Sequence, residues 1–215
     1  MRILRLLLWS AALSGWSASA ATGFRPEAKR ASRASTPPKV AVVAAAKARL
    51  SYLTPIKKNV SSPYHPTALR RHYELAAADK TAGEKFYKLL ADYKDRDALV
   101  LGYKAAAEAI RARDASMFNK LTYVQDAART FEEAVGLDPQ NPEIRFLRFS
   151  VESNLPTFLG LSKHVEEDQE FLLKAALSHP KSGLDAEAFR TVRNFLVERG
   201  HVSDEQAQRL NQVAE

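Results

Sequence analysis

The densest group of chemically capable side chains in this sequence is His164-Val165-Glu166-Glu167-Asp168, with Glu170 close behind. On a helix, His164 and Asp168 lie at i and i+4 and share a face, as do Glu167 and Glu170 at i and i+3. An imidazole beside carboxylates can exchange protons or ligate a divalent cation. His164, Glu167 and Asp168 are therefore the candidate acid/base or metal cluster. The same acids also have a purely structural use: in the first turn of a helix that begins near Ser162 they face the positive end of the helix dipole. No HExxH or EF-hand spacing accompanies the cluster, and no G-x-S-x-G supplies a nucleophile elbow. The remaining histidines, 65, 72, 179 and 201, are scattered and mostly near segment ends; Glu74 is the only acid close to His65 and His72.

A second candidate is the basic row Arg145 and Arg148, at i and i+3 beside Phe146 and Phe149. Two guanidinium groups on one helix face can grip a carboxylate or a phosphate. They can equally pair with helix acids such as Glu132 and Glu133. The third candidate is the apolar string Asn154-Leu155-Pro156-Thr157-Phe158-Leu159-Gly160. Loops are normally polar, so this one either plugs the core or exposes a hydrophobic docking patch centred on Phe158. Arg145, Arg148 and Phe158 are thus the partner-binding candidates. No residue set calls for a cofactor, and no metal or catalytic assignment is made.

The elements that must position these residues read as helices. Pro66 stands at a first helical position, followed by Leu69, Tyr73 and Leu75 to Ala78. Thr81-Ala82-Gly83-Glu84 matches a capping box, and Phe86, Leu89, Leu90 and Tyr93 then follow at i, i+3, i+4, i+7. Asp97 is placed to cap a helix bearing Leu99, Leu101, Tyr103, Ala106, Ala107 and Ile110. A run from about Ser116 to Val135 carries Phe118, Leu121, Val124, Ala128, Phe131 and Val135, with Gly136 as its stop. Asn141-Pro142 opens a helix that ends before Pro156. Asp185 caps another that ends at Gly200, and Ser203 to Gln206 form a second capping box. Period-two runs of Val, Ile and Thr are absent, so a sheet is not expected. The expected fold is all-α: seven or eight helices, paired antiparallel in a layer or gathered into a compact bundle.

The residues Ala127, Phe131, Ala134 and Pro139, spaced by 4, 3 and 5, with the turn GLDPQNPEIRF at 136–146, resemble the second half of a tetratricopeptide repeat. In that pattern small residues let the second helix of a pair approach the first, an aromatic fills the space between pairs, and proline turns the chain onward. The first half departs from it: Arg111 stands where a large apolar residue is usual, and Asp114-Ala115 where Leu-Gly is. The resemblance covers about one helix and one turn. It implies a TPR-like layer with a concave surface for a protein or peptide partner. The stretch 141–160 also looks like uncharacterised exported bacterial helical proteins, a likeness that brings no activity with it.

Composition sets the outer bounds. The chain has 215 residues, 46% of them hydrophobic and none of them Cys. It can bury a core, and it cannot use disulfides, thiolate zinc sites or a cysteine nucleophile. Residues 1–20 read as a secretory signal peptide: Arg2 and Arg5 precede a short apolar run, and Ala18-Ser19-Ala20 is an A-x-A cleavage site. That run is shorter than the roughly 20 residues needed to span a bilayer, so the mature chain is expected to lack a transmembrane span. The net charge of +7 is unevenly placed. Residues 21–60 hold nine Lys and Arg against Glu27 alone, whereas 61–215 hold 21 basic against 24 acidic residues. The first of these segments is poor in large apolar residues and reads as a basic, mostly disordered linker. With the basicity outside the folded part, and no interleaved aromatics, nucleic-acid binding is not expected.

Three functions remain open from the sequence. The first is an exported (periplasmic or extracellular) non-enzymatic interaction module for a protein or peptide partner. The second is a hydrolytic or metal-dependent enzyme using His164 and its carboxylates. The third is a binder of an anionic envelope surface through residues 21–60.

Overall fold

The computed structural model describes residues 62–214; the expected signal peptide and basic linker lie outside the described residues. Eight α-helices occur among them, and no strands: α1 (Pro66–Ala78), α2 (Lys80–Ala91), α3 (Ala98–Asp114), α4 (Met117–Leu137), α5 (Pro142–Glu152), α6 (Val165–Leu177), α7 (Ala186–Glu198) and α8 (Asp204–Asn211). A single 3-10 turn, Thr157–Leu159, interrupts the α5–α6 connection. The all-α expectation holds.

The helix starts follow local chemistry. Asp97, Asn141 and Asp185 each accept a hydrogen bond from an amide of the first turn. Such caps contribute about 1 kcal/mol each. The Ser203/Gln206 capping box is present in full. Two expectations are corrected. The α2 cap is Asp79, which accepts from Ala82 N at 2.7 Å, so Thr81 already lies inside the helix. An acidic oxygen two residues upstream displaced the Thr81–Glu84 box. Gly136 does not stop α4 either: the helix runs on to Leu137, with Asp138 as its C-cap. Gly200, by contrast, does close α7, at φ 68, where a Cβ would be strained.

Helices α1 to α4 form an antiparallel series joined by short connections. Asp79 alone separates α1 from α2, and Ala115-Ser116 separates α3 from α4. The series packs closely where glycine permits it. A Cβ on Gly83 would stand 3.0 Å from Ile110 Cγ2 and 3.5 Å from the Ala76 carbonyl oxygen, so α1, α2 and α3 meet there. Ala127, Phe131 and Ala134, the small and aromatic residues of the repeat-like stretch, are buried on the α3-facing side of α4. Phe118 is not. It lies roughly 120° around the helix from Val124 at 3.6 residues per turn, off the buried stripe, and is 93% exposed.

Helix α5 is buried along its whole length and organises the rest. Its residues divide among four directions. Ile144, Leu147 and Val151 enter a core shared with α1 to α4. Phe146 and Phe149 enter a second core built with α6, α7 and α8, where both meet the Phe195 ring edge-on at 5.4 and 5.7 Å. Between these two apolar faces run two polar ones. Glu143 and Ser150, seven residues apart, face α1; Arg145, Arg148 and Glu152 face α6 and the loop before it. Alternating faces let one helix join two cores while each buried charge meets a partner on a neighbouring helix.

Candidate functional site

The sequence-predicted site residues meet along the α5–α6 seam. Asp168, in the first turn of α6, has no exposed side-chain surface. Its Oδ2 accepts from Arg148 Nε at 2.7 Å and its Oδ1 from Arg148 Nη2 at 2.7 Å, a bidentate pair. Arg145 Nη1 adds a third bond to Oδ1 at 2.8 Å and also pairs with Glu167. Arg145 Nε donates to the Pro139 carbonyl at 3.1 Å, and its guanidinium lies over the Phe171 ring. Both guanidinium groups are therefore committed to α6. The alternative pairing with Glu132 and Glu133 does not occur: those acids lie on α4, and Glu133 pairs with Arg96. The hydrogen bond from Arg145, outweighing partial burial, holds the Glu167 carboxyl below its usual range.

His164 and Asp168 do not act together. His164 is the N-cap residue of α6, with φ −114 and ψ 9, and turns back to α5. Its backbone N–H donates to Glu152 Oε2 at 2.8 Å and its Nδ1 lies 2.9 Å from Glu152 Oε1. Spacing in the sequence does not reveal the Glu152–His164 pair, because twelve residues and a loop separate the two. A carboxylate on Nδ1 favours the tautomer with Nε2 as acceptor. Among the described residues, no group of three or more His, Asp or Glu could hold a metal ion.

The apolar loop divides its side chains. Leu155 is buried in the first core and Leu161 packs against it, whereas Phe158, on the 3-10 turn, is 63% exposed. The plug and the outward aromatic both exist, three residues apart.

A second polar cluster had no signal in the sequence. Glu143, in the first turn of α5, accepts from Arg70 Nε at 2.8 Å and Nη2 at 2.7 Å, and from the Tyr103 hydroxyl at 2.6 Å. Arg70 Nη1 reaches on to Asp185 and Glu187 at the start of α7, at 2.7 and 3.3 Å. One guanidinium thus ties α1 to α5 and α7. Burial, reinforced by the Glu143 carboxylate, holds the Tyr103 phenol well above its usual range. Burial alone would raise Asp185, but the Ala188 amide and the Arg70 guanidinium outweigh it and hold it low.

Chemically, these clusters neutralise buried charge. Asp168, Glu143 and Glu152 each have their carboxylate filled by donors from another segment. Comparison with protein-family profiles, curated proteins and solved structures found no match to this chain. Among the described residues, no helix is long and apolar enough to cross a membrane.

Proposed function

We propose that this protein is an exported, non-enzymatic helical interaction protein, loosely TPR-like, that binds a protein or peptide partner. The observation that carries the reading is the contrast between its charged and its aromatic side chains. Arg145, Arg148, Asp168 and Glu152 spend their hydrogen-bonding capacity inside the fold, while Phe118 stands 93% exposed on the first turn of α4 with Leu121 one turn on. Exposed aromatics beside aliphatics are what a partner's apolar groove recognises. Phe158, on the α5–α6 loop, is a second such point.

The test is site-specific photo-crosslinking in the exported fraction, with the photoreactive residue at 118, at 158 and, as a control, at the exposed Glu132. The reading expects a discrete adduct from position 118 that persists at high salt and is absent from the control. Equal labelling at all three positions, or none at 118 and 158, overturns it.

A second reading rests on the segregation of basic charge into residues 21–60. In it the basic segment holds the protein on an anionic envelope surface. It expects binding of the full chain to anionic vesicles that falls steeply as salt shortens the screening length.

A further inference from the structure

His201 is half-buried on the chain between α7 and α8, at the entrance to the last helix. Its ring stacks on Phe195 of α7 at 5.0 Å and meets Phe149 of α5 at 4.8 Å. Its backbone is tied to the same place. The N–H donates to the Leu196 carbonyl at 3.0 Å, and the carbonyl accepts from the Gln169 side chain of α6. One residue thus gathers α5, α6 and α7 where α8 begins. His164, at the entrance to α6, rests against the Glu152 carboxylate. His201 has two phenyl rings instead.

Protonation there puts a cation among apolar groups, which is costly without a partner. Among the described residues, no carboxylate on the surrounding elements offsets it. On α5, Arg145, Arg148 and Glu152 turn to α6 and His164. On α6, Asp168 is filled by the two arginines, Gln169 is neutral, and Glu166, Glu170 and Lys174 are exposed. On α7, Arg193 lies over Phe189, and Glu198 and Arg199 are exposed; on α8 so are Asp204, Glu205 and Arg209. The core's other histidine, His179, stacks on Phe189. Of these groups Arg199 acts on the His201 ring, and it opposes the proton. Helix α8 has little else to hold it. It is eight residues long, with Leu210 as its buried residue, and Val202 and Val213 pack against the second core from either side of it. A helix this short does not persist alone in water, so its amides are protected only while it is docked.

We propose that His201 is a pH-sensitive latch for α8: the neutral imidazole seats against Phe149 and Phe195 and holds the last helix down, and the imidazolium releases it from α6 and α7. Burial, followed by Arg199, holds the ring below its ordinary value of 6.5, so the docked state resists a proton that the released chain accepts. The latch is therefore whole above 6.5 and is lost as pH falls through the docked value. Release bares the seat of Leu210 in the second core, apolar surface that is covered at neutral pH. The latch stands independently of the interaction reading, whose exposed aromatics lie on α4 and on the α5–α6 loop.

The experiment is amide hydrogen exchange of the full-length protein from pH 7.5 to 5, each rate corrected for the pH dependence of free-chain exchange, with the His201 imidazole resonance recorded alongside. Protection of residues 207–213 is expected to be lost as the His201 ring takes its proton, while α3 and α5 keep theirs. His201→Phe keeps the ring packing and cannot charge, so its α8 protection should stay level across the range. His201→Gln, also without a titrating group, gives the same comparison if the phenyl variant does not fold. Three results overturn the proposal. One is protection lost equally from all helices. Another is α8 protection that stays level or rises in the parent as the ring charges, the result that attraction of the imidazolium to the Phe195 face would produce. The third is a fall in the uncharged variant as steep as the parent's.

Discussion

Arg148 and Asp168 form a side-on ion pair with two 2.7 Å bonds inside the protein, Asp168 having no exposed side-chain surface and Arg148 4%. With Arg145 adding a third bond, the α5–α6 seam is a buried triad of two cations and one anion, with Glu167 completing its charge at the edge. The pairing ties the first turn of α6 to α5.

Removing that anchor should be severe. Asp168→Ala takes from the buried Arg148 the acceptor of both its bonds, and from Arg145 one of its acceptors, and is expected to cost about 3–5 kcal/mol. That is a large share of a domain's usual ~5–15 kcal/mol. Urea unfolding checks it. Replacing the whole triad, Arg145→Met with Arg148→Met and Asp168→Leu, should recover most of the loss, because desolvation of the charges disappears with the charges.

The Tyr103–Glu143 bond gives an alkaline prediction. The Tyr103 phenol is held above the ordinary value of 10.0, by burial first and then by Glu143, so the folded state keeps its proton where the unfolded chain loses it. Its contribution is whole below pH 10 and is lost as pH rises through the folded value. Unfolding midpoints measured from pH 8 to 11.5 should fall more steeply for the parent than for Tyr103→Phe. The variant should also be weaker at pH 7 by about 1.5–3 kcal/mol, the worth of a hydrogen bond to a charged group.

Asp185 predicts the acid limb. Its carboxyl is held below 3.8, the Ala188 amide and Arg70 outweighing burial, so its contribution is present above the unfolded value and is lost as pH falls through the folded one. Between pH 5 and 2 the Asp185→Asn protein should lose less stability than the parent, because the linked proton uptake is gone. Parallel thermal melts across that range decide the matter; curves of equal slope count against the Arg70 clasp.

Two helical glycines should respond in opposite ways. Gly83→Val forces branched carbons into the space where even a Cβ stands 3.0 Å from Ile110 Cγ2, and should destabilise by about 1–3 kcal/mol. A Cβ at Gly136 meets nothing within 4 Å, so Gly136→Ala should stabilise by about 0.5–1 kcal/mol through helix propensity. Thermal melts of both single variants test the pair.

What the sequence determined by itself was local. Helical periodicity, the caps at Asp97, Asn141, Asp185 and Ser203, and the all-α class follow from forces acting within a few residues, which neighbours in the chain record. The buried stripe Ala127, Phe131 and Ala134 was legible for the same reason. Even there, short-range competition misled at Thr81, where Asp79 offered an earlier cap. Long-range pairing was not legible. Arg70 lies 73 residues from Glu143, and Tyr103 lies 40 from it. Nothing in either helix specifies the other, because a buried charge needs only some partner of opposite sign. Packing chose which. The spacing of His164 and Asp168 put both on one helical face, yet the tertiary structure sends His164 to Glu152 and Asp168 to two arginines. Helix α5 is why: surrounded on all sides, it presents polar faces to α1 and α6 between two apolar cores, and the charges that meet it are decided by which helices close around it.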